Sequence, residues 1–111
     1  MRYIVDIDGT ICINMVNDDG TTNYEMSVPM HDRIETINRL YDEGNEIHYW
    51  TARGSASGID RYDLTLAQLH QWGAKFHSFK VGKPVYDIWI DDKAVNAGEF
   101  FAGQSTSERD L

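Results

Sequence analysis

The chain holds a single cysteine, Cys12, in 111 residues. One thiol makes no internal disulfide, and it excludes a cysteine-rich zinc site. Basic residues are scarce too: 10 lysines and arginines stand against 18 aspartates and glutamates, for a formal charge of −8. That balance repels nucleic-acid phosphates and anionic lipid, so neither a nucleic acid nor a membrane is expected as a partner. Long apolar runs are missing as well. The first, Tyr3-Ile4-Val5, stops at Asp6, too early for a signal peptide or a membrane span. The expected location is therefore the cytoplasm.

What is present suffices for one folded domain. Hydrophobic residues make up 41% and aromatics 12%, which excludes a mainly disordered chain. The length suits a single core rather than two. The polar stretch 103–111 (GQSTSERDL) reads as a loose tail, which leaves residues 1–102 as the domain.

Along that domain, strand and helix patterns alternate. Tyr3 to Ile7 suits a buried parallel strand that breaks at Asp8-Gly9-Thr10. Ile11 to Val16 and Thr21 to Val28 flank Asn17-Asp18-Asp19-Gly20, a hairpin signal. Pro29 suits the first turn of a helix, and Ile34, Ile37, Leu40 and Tyr41 give that helix its apolar face up to Gly44. Glu46 to Trp50 reads as a strand, followed by a small polar loop from Thr51 to Gly58. Ser57 with Asp60 is a candidate capping box for a second helix, whose apolar face would be Tyr62, Leu66 and Leu69 and whose end would be Gly73. Phe76 to Val81 and Tyr86 to Ile90 read as two further strands. This order predicts an α/β layer structure with a mainly parallel sheet.

Carboxylates fall at the ends of two of these strands. Asp6 and Asp8 close the first; Asp91 and Asp92 close the last. In a parallel sheet the carboxyl ends share one edge, where ligands bind. Four gathered carboxylates resist ionisation unless a hard cation neutralises them. Magnesium fits, because it takes few carboxylates and completes its shell with water and phosphate oxygens. Thr51 and Lys83 would face the same crevice and hold phosphoryl oxygens, and Gly9 would let backbone amides approach them. One carboxylate can then attack phosphorus, and a second can serve as acid and base.

These residues resemble the four motifs of the haloacid dehalogenase-like (HAD) phosphohydrolases. Asp6-Ile7-Asp8-Gly9-Thr10 after an apolar strand resembles the first, and Thr51 after His48-Tyr49-Trp50 the second. Lys83 in Gly82-Lys83-Pro84 resembles the third, and Asp91-Asp92 after Ile88-Trp89-Ile90 the fourth. At average composition, D-x-D-G-T arises in such a chain with odds of roughly one in a thousand. The resemblance spans about residues 3 to 101 and implies a three-layer Rossmann-like HAD fold. It implies Asp6 as nucleophile and magnesium ligand, and Asp8 as general acid/base with its carbonyl on the metal. It also implies Thr51 and Lys83 on the phosphoryl group, and magnesium on Asp91 and Asp92. Gly9, Thr10, Ala52 and Arg53 complete the expected phosphate and substrate contacts, Arg53 having a structural salt bridge as its alternative.

Family members often carry a cap domain. The intervals 11–28 and 52–82 leave no room for one, so a short hairpin flap and no cap are expected. Such an open site suits large substrates or shielding by a second copy of the chain, so a homo-oligomer is a further expectation. Thr51-Ala52-Arg53, Gly82-Lys83-Pro84 and Ile90-Asp91-Asp92-Lys93-Ala94 resemble the small capsule-biosynthesis HAD phosphatases, which implies a small phosphorylated sugar or polyol as substrate.

Other readings fit less well. A calcium loop needs further ligands where Thr10, Ile11 and Cys12 stand. A receiver-like phosphoacceptor domain gathers similar groups in another chain order, and a non-catalytic magnesium-binding module would not need the intact motif set. Tyr24 and Met26 on the hairpin are candidates for substrate contact. The four histidines lack metal-ligand spacing, and Trp50, Trp72 and Trp89 read as core.

Overall fold

A computed structural model describes the backbone of residues 1–109 and the side chains of residues 1–104. Three parallel strands form the main sheet: β1 (Arg2–Val5), β4 (Glu46–Trp50) and β5 (Ser78–Lys80), in the order β1-β4-β5. Ile4 pairs with His48 and His48 with Ser78, so the carboxyl ends of all three strands meet at one edge. The chain is thus a small α/β fold with a mainly parallel sheet. Between β1 and β4 come a hairpin of β2 (Cys12–Val16) and β3 (Thr22–Pro29), then helix α1 (His31–Asp42). Helix α2 (Tyr62–Gln71) makes the crossover from β4 to β5, and α3 (Ala97–Arg109) closes the described chain. Among the described residues, no helix is long and apolar enough to cross a membrane.

Burial follows the apolar pattern. Ile34, Ile37 and Leu40 of α1 lie one to two turns apart on one face and pack with Val5, Ile7, Ile47, Tyr49, Leu69 and Phe79. Phe101 joins this core from α3. The hairpin forms a two-stranded sheet of its own rather than extending the main one. Its turn closes as expected, with Gly20 N–H donating to Asn17 O at 2.9 Å.

Several expected boundaries shift. Pro29 ends β3 instead of opening α1, because Met30 takes the cap position and its N–H donates back to Ile11 O. Ser57 and Asp60 form no capping box. The helix begins only at Tyr62, and each side chain closes a local turn instead, Ser57 Oγ accepting from Ile59 N and Asp60 Oδ1 from Tyr62 N. The stretch from Phe76 to Val81 keeps only three strand residues, because β4 offers partners only to Ser78, Phe79 and Lys80. Residues 103–109, expected as a tail, continue α3, whose first turns are anchored by Phe100 and Phe101 against the core.

The largest departure is Tyr86 to Ile90, which forms no strand. Strand propensity acts only where a ladder partner and a covered face are supplied. Here the segment is held by rings instead. Trp89 stands edge-on to Trp50 at 6.1 Å and to Tyr86 at 5.1 Å. Lys83 Nζ sits over both Tyr86 and Trp89, at 5.2 and 5.6 Å. Ile88 and Ile90 are left 78% and 93% exposed. Trp89 is itself exposed and Trp50 and Trp72 are half-buried, so none of the three tryptophans is a full core residue.

Candidate active site

Strand β1 ends at Val5, and the chain leaves the sheet edge through Asp6, Ile7 and Asp8. Ile7 is fully buried and anchors this turn, while Gly9, at φ 74°, turns the backbone where other residues would be strained. The turn closes through Gly9 N–H to Cys12 O at 2.9 Å and Ile11 N–H to Ile7 O at 2.9 Å. Asp6 and Asp8 then stand two residues apart in different surroundings.

Asp6 is the more accessible of the two, its side chain 32% exposed. Lys83 Nζ lies 3.5 Å from its Oδ1, and Thr10 Oγ1 donates to its Oδ2 at 3.4 Å. Burial lifts the Asp6 carboxyl above the usual carboxylate range, with the Lys83 charge pulling the other way. Lys83 comes to this edge because its N–H donates to Thr51 O and Ser55 Oγ donates to its carbonyl at 2.8 Å.

Asp8 is bound from four sides. Arg53 Nε donates to both of its oxygens, at 3.0 and 3.2 Å, and Nη2 adds a contact of 2.9 Å. Asn14 Nδ2 donates to Asp8 Oδ1 at 2.8 Å, and Thr51 Oγ1 donates to Oδ2 at 3.3 Å. Cys12 Sγ lies 3.5 Å from Oδ1. Burial, with the Asp8 charge beside it, pushes the Cys12 thiol up to about 12. Thr51 is fully buried and also accepts the Arg53 N–H at 3.1 Å, which ties the end of β4 to this cluster.

Arg53 is the centre of the arrangement and is 2% exposed. Beyond Asp8, its Nη1 donates to Gln68 Oε1 at 2.5 Å and to Thr65 Oγ1 at 3.2 Å, and its Nη2 to Ser27 Oγ at 3.2 Å. Its guanidinium carbon lies 4.8 Å from the centre of the Tyr24 ring. Every nitrogen of the guanidinium has a protein partner. Of the two readings of Arg53, the geometry is that of the structural salt bridge and not of a group open to substrate. This also explains helix α2, where the buried positions are Thr65, Gln68 and Leu69 while Tyr62 is 41% exposed. The expected face of Tyr62, Leu66 and Leu69 is shifted because a buried cation needs acceptors.

Asp6, Asp8, Thr51 and Lys83 therefore come together at the carboxyl edge of the sheet. Gly9 and Thr10 lie in the same turn, and half-buried Ala52 precedes Arg53, its carbonyl accepting the Ser55 N–H at 2.9 Å. Asp91 and Asp92 do not join them as a strand end, because that strand does not form. Both are exposed, and Asp91 is used locally, accepting from Lys93 N at 2.9 Å. That bond, with help from Asp92 and Trp89, holds the Asp91 carboxyl below the usual range. Among the described residues, no group of three or more histidine, cysteine or acidic side chains stands ready for a metal.

No family model and no curated protein matches the chain. A solved structure does. The crystal structure of a target protein from Vibrio cholerae is 28% identical, over 91% of this chain and 87% of that one, with a TM-score of 0.77. The likeness covers nearly the whole chain and agrees with the α/β architecture described above.

Sequence reasoning missed the polar cluster around Arg53. Ser27, Asn14, Thr65 and Gln68 carry no motif. The available signal was Thr65 and Gln68, three residues apart on a helix face that should have been apolar, with an arginine just after a strand. Of the hairpin candidates, Tyr24 turns to Arg53 and Arg61, and Met26 is 60% exposed.

Proposed function

We propose that the protein is a capless phosphatase of the HAD type, hydrolysing phosphomonoesters through an aspartyl-phosphate on Asp6. The observation that carries this reading is the convergence of three motif segments. Lys83 Nζ lies 3.5 Å from Asp6 Oδ1, and Thr51 donates to Asp8 two residues further on. One carboxylate is open and faced by a cation; its neighbour is held in place. That division suits a nucleophile beside a proton carrier.

In the reaction, an Asp6 oxygen forms a bond to phosphorus as the bond to the ester oxygen breaks. The proton of the monoprotonated ester passes by way of Asp8 to the departing oxygen. Water then attacks the phosphorus of the acyl phosphate, Asp8 takes the water's proton, and Asp6 is released with inorganic phosphate. Lys83 balances charge on Asp6 and on the phosphoryl oxygens. Its pull opposes the burial that raises the Asp6 carboxyl, and so favours the ionised nucleophile.

Magnesium is the cofactor attached to this reading, on donor chemistry. Asp6 offers carboxylate oxygen at a half-open edge, and Asp91 and Asp92 offer more on an exposed segment. Hard oxygen donors with free places for water and phosphate suit this ion. When bound it would neutralise the phosphoryl group. The fold also supports the absence of a cap, since residues 52–82 are accounted for by a loop, α2 and β5. A small phosphorylated sugar or polyol is the substrate class we attach to such a site, with shielding by a second copy as the matching assembly.

The test is hydrolysis of p-nitrophenyl phosphate with and without magnesium, by the native chain and by Asp6→Asn. The expected result is magnesium-dependent release of phosphate that is lost in the variant. Equal turnover by Asp6→Asn would remove Asp6 as the nucleophile. A phosphorylated protein stable for minutes without phosphate release would favour a receiver-like phosphoacceptor.

A further inference from the structure

A recess of about 220 Å³ lies between the loop after β4 and the turn after β5. Ser55, Ile59, Arg61, Val81 and Gly82 contribute to its lining. It borders the backbone of Lys83, since Ser55 is bonded to the Lys83 carbonyl and Gly82 precedes Lys83 in the chain, and it borders the Asp8 pair through Arg53, which also lines it. The loop that builds it has a fixed shape. Gly54 sits at φ 83°, and a Cβ there would meet the Ile59 carbonyl oxygen.

Arg61 is the unusual member of this lining. Its guanidinium carbon lies 5.3 Å from the centre of the Tyr24 ring, which holds the side chain without satisfying its donors. Its Nε is buried and has no hydrogen-bond partner. Asp60, next in the chain and also in the lining, gives its carboxylate to the Tyr62 N–H instead. Arg53, by contrast, is fully used by Asp8, Gln68, Thr65 and Ser27. An arginine keeps its charge at any working pH, and a buried charged donor without an acceptor is costly. Such a group favours a ligand that brings anionic oxygen to it.

We propose that this recess receives the leaving-group end of the substrate. Arg61 there selects phosphomonoesters whose organic part carries a second acid group, a carboxylate or a second phosphate. The inference rests on the phosphatase reading and narrows its substrate class from sugar and polyol phosphates in general to acidic ones. In a chain of net charge −8, a local cation is what makes a doubly anionic substrate acceptable at all.

Two matched pairs test it, each assayed with magnesium beside p-nitrophenyl phosphate. In the first, 3-phosphoglycerate is compared with glycerol 3-phosphate, so that a carboxylate replaces a hydroxymethyl group. In the second, fructose 1,6-bisphosphate is compared with fructose 6-phosphate, so that a phosphate replaces a hydroxyl. The expected result is a preference in kcat/KM of about tenfold or more for the acidic member of at least one pair. That pair identifies which acid the recess takes. In Arg61→Gln the ratio falls to about one, and Arg61→Lys keeps part of it. The start of α2 does not depend on this side chain, since Thr65 bonds to the Arg61 backbone carbonyl, so both variants should fold. Equal turnover of both members of each pair, or an undiminished preference in Arg61→Gln, overturns the inference and leaves the phosphatase reading standing. Absence of hydrolysis of every ester, p-nitrophenyl phosphate included, overturns both.

Discussion

Replacing Arg53 by methionine removes a cation while keeping most of the side chain's length and its apolar stem. The native residue is 2% exposed, and its guanidinium spends its donors on Asp8, Thr65, Gln68 and Ser27. Removing one partner of a buried ion pair costs roughly 3–5 kcal/mol, because the remaining charge is left without compensation. Asp8 keeps 25% of its side chain exposed, so water recovers part of the loss and the lower end applies, about 3 kcal/mol. For a domain of this size that corresponds to a fall in Tm of roughly 10 °C or more. Urea unfolding followed by tryptophan fluorescence measures it directly, with the m-value unchanged if the unfolded state is unaffected. Asp8→Asn on the same background should cost less than it does alone, since it then removes the stranded charge instead of breaking a pair. A loss below about 1 kcal/mol, or full stability combined with a raised KM, would refute the argument. It would return Arg53 to the role of a substrate contact.

Three more outcomes follow from the same geometry. Asp6→Asn should be more stable than the native chain near neutral pH in chelator-containing buffer. Burial raises this carboxyl in the folded state, so the native chain loses stability as pH rises through that raised value. The advantage should vanish below the unfolded value of 3.8, where both states are protonated. Melting curves between acid and neutral pH read it; a constant difference would count against the burial argument. Cys12 is fully buried with its thiol pushed up to about 12, so a thiol reagent at pH 8 should label it only after unfolding. Gly54→Ala should cost about 2 kcal/mol or more, because the added methyl meets a backbone oxygen at a positive φ; wild-type stability would mean that the loop relaxes freely.

The sheet edge was legible because its signals are local. The apolar run ending in Asp6, the glycine turn after Asp8 and the strand from Glu46 to Trp50 each announce themselves within a few residues. So does α1, through Ile34, Ile37 and Leu40. The Arg53 cluster was not legible, because Asn14, Ser27, Thr65 and Gln68 come from three separate elements and are ordinary polar residues until folding assembles them. Tyr86 to Ile90 failed for the opposite reason. Its pattern is strong, yet a strand exists only with a neighbour, and these residues bind one another's rings and Lys83 instead. Asp91 and Asp92 are expected at the crevice as the end of that strand, and the strand does not form.

The hairpin shares no ladder with the parallel sheet; Tyr24 and Ser27 fasten it to Arg53, and Gln68 Nε2 donates to the Tyr24 carbonyl at 2.7 Å. Beyond its base, where Cys12 is buried in the core and accepts the Gly9 N–H, its attachment is a latch of a few side chains, while its own strands are zipped to each other. Such a unit can detach whole before the rest of the molecule opens. In deuterium exchange, the amide protons of β2 and β3 should then be released as a group, earlier than those of β4, and weakening the latch at Arg53 should advance the hairpin more than β4.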